Sequence, residues 1–254
     1  MTLVIRIPLN FNDPNNEIPK IERDSLINRG TKFMHDFGNP YCYPAQVANV
    51  PNGTVFTNLV EGAATGVVEN AFAGLTLDAK GGMYMPGSCH INLGNGYNLA
   101  TDNHDFLFQM WVRIVAGYST SAYQPIVSKG TSTQANQTQL YLDTGDNGLK
   151  FRIGSASTTQ PAVSSEFGPV VLDKPYLISY GREGGYLKTL INKTQIAAFP
   201  FAGPMANVTA NWLIGSGPWK GWVYRPMLED LTVSGKTIAG QAEKEYNKSI
   251  SKLS

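Results

Sequence analysis

Turn-forming residues are the feature that most limits what this chain can become. Its 254 residues include 26 glycines and 15 prolines. Pro lacks a backbone donor and Gly favours turns, so neither suits the interior of a long helix. Between them lie short runs rich in β-branched and aromatic residues, with alternating polarity. Such runs, bounded by turn signals, predict an all-β sandwich or barrel. Strands are expected near residues 3–7, 55–60, 82–85, 106–115, 125–128, 137–142, 149–153, 176–182, 186–191, 195–201, 212–214, 221–224 and 227–233. Three turns stand out. Asn147-Gly148 closes the 137–142/149–153 hairpin, Gly184-Gly185 the 176–182/186–191 hairpin, and Asn192-Lys193 leads into the next strand. One stretch reads as a helix, Thr237 to about Ile250. There Ile238, Ala242, Tyr246 and Ile250 form an apolar stripe, with Glu243, Lys244, Glu245 and Lys248 on the wet side.

Composition supports a folded body. Hydrophobic residues make up 42% of the chain and charged residues 15%, the latter below the usual share of about 25%. Disorder needs the opposite balance. A net charge of +1 leaves no electrostatic footprint for nucleic acid. The longest apolar run falls well short of the ~18 residues that mark a membrane helix. The opening Met1-Thr2-Leu3-Val4-Ile5-Arg6-Ile7-Pro8 lacks the basic region and apolar length of a signal peptide. Sandwiches of about 200–250 residues occur as single domains. The first stretch nevertheless differs from the rest. Pro8, Pro14 and Pro19 stand among several Asn, and Pro40, Pro44 and Pro51 follow. Residues 1–50 are therefore read as an N-terminal arm or small attachment subdomain, and 51–254 as the body.

The body resembles the laminin-G-like, concanavalin-A-like jelly-roll family. The resemblance lies in an ordered series of motifs over roughly residues 55–250. Asp105-Phe106-Leu107-Phe108-Gln109-Met110-Trp111-Val112 is similar to the family's "dFt…Wv" strand, and Pro125-Ile126-Val127-Ser128-Lys129-Gly130 to its "ilskg" strand. Gln139-Leu140-Tyr141-Leu142 and Leu149-Lys150-Phe151-Arg152-Ile153 stand where a hairpin follows. Leu172-Asp173-Lys174-Pro175-Tyr176, Leu213-Ile214-Gly215 and Gly221-Trp222-Val223-Tyr224-Arg225 match later elements in order. The segment from Tyr224 through Glu229-Asp230-Leu231-Thr232-Val233-Ser234-Gly235-Lys236-Thr237 resembles the closing segment of such domains in tailed-bacteriophage virion proteins. There the strand runs into "EDLTVSGRT" and then a helix. The resemblance implies a two-sheet antiparallel jelly-roll sandwich with an extended N-terminal arm and one C-terminal helix. The family's Trp-His pair is replaced by Pro175-Tyr176, and its "DG" by Asn192-Lys193. No metal or glycan role is carried over from the family.

Chemical constellations are sparse. Asp143-Thr144-Gly145 spells an aspartic-protease triplet, but that chemistry needs two aspartates sharing a proton, and a hairpin turn accounts for the triplet. Glu229 and Asp230 are adjacent, so a strand points them to opposite faces; one is expected at the surface and the other bonded to a loop. No E-x-D-x-E strand is present to supply a glycosidase's carboxylates. His35, His90 and His104 lack metal-ligand spacing. The run Asp102-Asn103-His104-Asp105 reads as a polar turn rather than a calcium loop. Cys42 and Cys89 read as two small buried hydrophobes. Tyr41, Tyr43, Tyr118, Tyr123, Trp219 and Trp222 fall in or beside predicted loops. Of these, Tyr118, Tyr123 and Trp219 are the candidates for a ligand or interface surface, and Trp222 is expected to be buried.

The sequence therefore points to a non-enzymatic chain without cofactor or metal. The main reading is a structural module of a bacteriophage virion, attached by its arm and partnered by itself and other virion proteins. The alternative is a glycan-binding module that meets cell-surface saccharide.

Overall fold

A computed structural model describes residues 23–69, 74–87, 89–97, 104–115, 123–129, 138–143, 148–153, 170–201, 210–215 and 217–254. The elements in chain order begin with β1 (Thr31–Met34), β2 (Asn49–Val50), β3 (Val55–Phe56), β4 (Gly66–Glu69) and β5 (Leu75–Leu77). There follow β6 (Met83–Met85), β7 (His90–Asn92), β8 (Phe106–Ile114), β9 (Tyr123–Lys129), β10 (Thr138–Asp143) and β11 (Gly148–Ile153). The last strands are β12 (Pro175–Glu183), β13 (Tyr186–Ile191), β14 (Thr194–Pro200), β15 (Trp212–Ile214) and β16 (Gly221–Asp230). Two helices close the chain, α1 (Leu231–Ser234) and α2 (Ile238–Leu253).

Among the described residues the strands form two antiparallel sheets. One runs β14-β13-β12-β8-β16-β6-β5-β2, with β1 also paired to β16; the other runs β11-β10-β9-β15-β7-β4-β3. Phe106, Phe108, Met110 and Val112 of β8 alternate inward, and Phe108 stacks on Trp212 of the facing sheet at 5.4 Å. Phe33 meets both rings edge-on. The predicted hairpins are present: Glu183 pairs Tyr186 across Gly184 and Gly185, both at positive φ. Ile191 pairs Thr194 across Asn192, at φ 58°. The Asp143–Gly148 pair also forms, although residues 144–147 of the Asp-Thr-Gly turn lie outside the described residues. Both cysteines are free and buried.

Residues 23–50, which the sequence reading places in the arm, are part of the sandwich. β1 pairs with β16, and Leu26, Phe33, Met34, Phe37, Cys42 and Val50 enter the core. The prolines that mark this stretch as irregular separate pieces too short to show a periodicity. Residues 1–22, with the predicted strand at 3–7, lie outside the described residues.

The predicted strands 221–224 and 227–233 merge into one strand, β16, interrupted by a bulge and ending at Asp230; residues 231–233, predicted as strand, belong to helix α1 instead. The pairing to β8 skips between Tyr224 and Met227, Arg225 adopts φ 49°, and Pro226, which has no N–H to give, occupies the irregularity. Above the bulge β16 pairs with β6, and below it with β1. The side chain that the bulge turns out is Arg225. Its Nε and Nη2 donate to the two oxygens of Glu245 at 2.8 and 3.1 Å. Nη1 donates to Asp36 at 2.5 Å and Nη2 to Asp24 at 3.0 Å. Lys248 adds a bond to Asp24 at 2.6 Å, and the Trp111 indole and Ser249 hydroxyl donate to Glu245. Burial opposes the charge on Arg225, but Glu245, Asp36 and Asp24 together raise its pKa. Burial likewise works against the Asp24 carboxylate, yet Arg225 and Lys248 hold it below its usual range.

This cluster corrects the reading of the helix. Thr237 caps α2 as expected, its side chain accepting from Gly240 N. The fully buried positions, however, are Ile238, Gln241, Ala242, Glu245, Ser249 and Leu253. Glu245, assigned to the wet side, is 1% exposed. Hydropathy alone cannot show that the sheet presents an arginine and an indole to that carboxylate.

Removing one member of a buried ion cluster strands the others, at a cost of about 3–5 kcal/mol. Arg225→Met is therefore expected to lower the urea-unfolding free energy by that order, with the midpoint moving and the slope unchanged.

A second prediction concerns pH. His35 is 1% exposed and stacks on Phe37, with Cys42 Sγ 3.8 Å from Nδ1. Burial depresses its pKa from 6.5 to about 4. Between those values the unfolded chain binds the proton and the native one does not. The contribution is complete above pH 6.5 and fades as pH falls toward 4, by roughly 3 kcal/mol in all. Denaturation at stepped pH should show this slope, and His35→Phe should flatten it.

Candidate functional site

Strand parity decides which residues of the first sheet face outward. Val112 and Val223 are fully buried between the sheets, so their neighbours Trp111, Arg113, Trp222 and Tyr224 point to the opposite, outer face. Helix α2 covers part of that face: Tyr246 stacks on Trp111 at 5.6 Å, and Glu245 takes the indole N–H.

One row further along, the register aligns six outer positions across six strands. Asn49 pairs Thr76, Thr76 pairs Tyr84, Tyr84 pairs Trp222, Trp222 pairs Arg113, and Arg113 pairs Pro175. At about 4.8 Å per strand, five steps make a row about 24 Å long. Its centre is aromatic. The Tyr84 and Trp222 rings lie 5.1 Å apart and both are half-buried. The Arg113 guanidinium lies over the Trp222 ring at 5.1 Å. Asn49 is exposed, and Thr76, Arg113 and Pro175 are half-buried.

Asp78 braces the row from the β5–β6 turn. Its Oδ1 accepts from the Gly82 and Lys80 amides at 2.7 and 2.9 Å, and its Oδ2 from the Tyr224 hydroxyl at 2.9 Å. Burial, and then the Asp78 charge, push the Tyr224 phenol well above its ordinary pKa, which keeps it a donor. The Tyr224 ring lies where any Cβ on Gly82 would fall, at 2.2 Å, so only glycine fits there. Beside Asp78 is a polar cavity of about 240 Å³ lined by Gly38, Gln46, Ala48, Leu77, Gly81 and Lys252.

Of Tyr118, Tyr123 and Trp219, the residues singled out from sequence, only Trp219 is described with its side chain, and it falls elsewhere. Trp219 has 0% exposure and packs in the core. Tyr118 lies outside the described residues. Tyr123 begins β9, and its side chain is not among those described. Trp222, expected to be buried, is the half-exposed indole of the row. The sequence carries its signal in Gly221-Trp222-Val223, where Val223 could have fixed the parity had its inward direction been known.

Glu229 and Asp230 both turn out to be buried, one on each face of β16. Glu229 accepts from Asn28 at 3.0 Å and from Gln241. Asp230 accepts from His104 at 2.7 Å and caps α1 through Val233 N, with Lys32 at 3.4 Å. Burial raises the Asp230 carboxyl, but the His104 bond, the Val233 amide and the charges of His104 and Lys32 together outweigh it and the pKa falls. Asp105 accepts from Gly184 N and faces Arg182. These carboxylates hold elements together. Among the described residues, no group of three or more His, Cys, Asp or Glu is arranged to hold a metal ion.

No family model matches the chain, and no curated protein matches it in sequence. Solved structures do match it. Domain 4 of AbnA, an extracellular arabinanase from Geobacillus stearothermophilus solved in complex with arabinotriose, aligns with a TM-score of 0.58 at 13% identity, covering 84% of this chain and 98% of that domain. The receptor-binding domain of a botulinum neurotoxin C/D mosaic serotype aligns with a TM-score of 0.63 at 11% identity, over 88% of this chain and 52% of that one. A Trypanosoma rangeli sialidase variant with trans-sialidase activity aligns with a TM-score of 0.57 at 11% identity, over 87% and 34%. The chain thus spans about half of the neurotoxin domain and a third of the sialidase. At these identities the likeness shows the fold alone, an all-β sandwich of two antiparallel sheets.

The indoles give a direct test of the site. Trp111, Trp212 and Trp219 are at most 3% exposed, and Trp222 is the only other tryptophan. Acrylamide quenching of intrinsic fluorescence should be dominated by Trp222. In Trp222→Phe the quenchable fraction should nearly vanish while the circular dichroism is unchanged.

Proposed function

We propose that this chain is a non-enzymatic, carbohydrate-binding β-sandwich module that lays an oligosaccharide along the row from Asn49 to Pro175. The observation that carries this reading is the half-exposed Tyr84–Trp222 pair, fixed in register at the centre of that row. An aromatic face offers apolar area at low entropic cost and a place for the C–H faces of a sugar ring. Thr76, Asn49 and Arg113 stand beside it with polar groups for hydroxyls. A row about 24 Å long suits several sugar units rather than one. The complex of the arabinanase domain with arabinotriose is consistent with this use of the fold.

A second reading, display of the module on a bacteriophage particle in association with itself and other virion proteins, is supported by the 224–237 segment. β16 runs through Asp230 into α1 and then α2, the path of the phage closing segment it resembles. The two readings are compatible, since a displayed module can also bind glycan.

Titration calorimetry against linear arabino-, galacto- and gluco-oligosaccharides tests the primary reading. Trp222→Ala is expected to weaken binding at least tenfold, the loss of an anchor worth about 1.4 kcal/mol or more. Tyr84→Ala should act in the same direction. Absence of binding to any neutral or acidic saccharide at millimolar concentration would overturn it.

A further inference from the structure

The row contains an arginine whose hydrogen-bonding capacity is almost unspent. Arg113 is three-quarters buried in its side chain, yet its polar partners among the described residues are few: the Tyr224 hydroxyl, itself committed to Asp78, and Asp78 Oδ2 at 3.8 Å, beyond hydrogen-bond range. Its Nε is buried with no partner. Asp78 cannot move to it freely, because both of its oxygens are held by Gly82, Lys80 and Tyr224. A guanidinium carries five donors in a planar fork, and leaving buried donors unmet costs stability. The Trp222 indole lies against Arg113, and a quarter of the Arg113 side chain remains exposed at its place in the row.

The surroundings favour an incoming negative charge. Lys220 directly precedes β16, two residues before Trp222. The facing carboxylates are Asp78, already engaged, and Asp173, which sits exposed on the loop before β12. A planar carboxylate is the group that matches an arginine fork bidentately, in bonds about twice as strong as neutral ones.

Resting on the carbohydrate reading of the same row, we infer that the ligand is an acidic oligosaccharide whose carboxylate is taken by Arg113 while a neighbouring ring stacks on Trp222. Tyr84 and Trp222 then supply affinity common to all sugars, and Arg113 supplies the discrimination. The Arg113 end of the row reads charge, and the Asn49–Thr76 end reads hydroxyls.

The experiment compares paired ligands by titration calorimetry on the whole chain: oligogalacturonate against neutral galacto-oligosaccharide of equal length, sialyllactose against lactose, and a sulfated heparin oligosaccharide as a third arm. At least one carboxylated ligand should bind tenfold or more tighter than its neutral partner, with a margin that shrinks as salt rises. Arg113→Ala should bring that ratio to about one, while Trp222→Ala weakens both members of the pair alike. Arg113→Lys, which keeps the charge and loses the fork, should retain only part of the preference. Thermal melts of each variant ensure that the comparison is made on folded protein. Equal binding of acidic and neutral partners, or a preference that survives Arg113→Ala, overturns this inference and leaves the carbohydrate module standing. Tighter binding of the sulfated arm than of either carboxylated one overturns the carboxylate assignment. No saccharide binding at all overturns both.

Discussion

Arg225 provides the charge around which three separate parts of the chain assemble. Asp24 and Asp36 come from the segment before and after β1, Glu245 from the last helix, and Arg225 itself from the bulge in β16. A guanidinium buried alone would be prohibitively costly, and so would any of the carboxylates. Together they satisfy one another, and the Trp111 indole and Ser249 hydroxyl fill the remaining positions on Glu245. The arrangement requires the backbone of Arg225 to enter the left-handed region, which an L-residue does only when its surroundings insist. The bulge, the helix position and the seating of residues 23–37 therefore depend on each other.

That clasp also settles where the open surface lies. By drawing α2 onto Trp111, it closes one part of the outer face of the sheet and leaves the next row uncovered. Trp111 and Trp222 stand on the same face one row apart, yet one is wholly buried and the other half-exposed. The difference comes from the helix rather than from the strands that carry them. Tyr224 bridges the two regions, on the row of Trp111 but bonded to Asp78, which braces the open row.

Fold and function separate here in the way usual for sandwiches. Likeness at 9–13% identity extends across an arabinanase domain, neurotoxin receptor-binding domains and a sialidase. A framework shared so widely cannot by itself name a ligand. What is particular to this chain is the content of one face: two aromatic rings in register, an underused arginine and a carboxylate committed to bracing.

The sequence by itself determined the local choices. Alternating runs, Gly184-Gly185 and Asn192 set strands and hairpins, and Thr237 set the start of the helix, because these depend on a few neighbouring residues. The order of motifs from Asp105 to Arg225 also made the sandwich legible. Only the tertiary structure decided the rest. It joined 221–224 and 227–233 through a bulge, drew residues 23–50 into the core, and buried Glu245 on the side of α2 that hydropathy assigns to water. It also exchanged Trp222 for Trp219 as the accessible indole. Alternation along a strand says that neighbours face opposite ways, but not which way is inward, and it is silent on what will later cover the outer face. Those outcomes depend on contacts between residues about 200 positions apart, such as Asp24 with Arg225, and no local pattern encodes them.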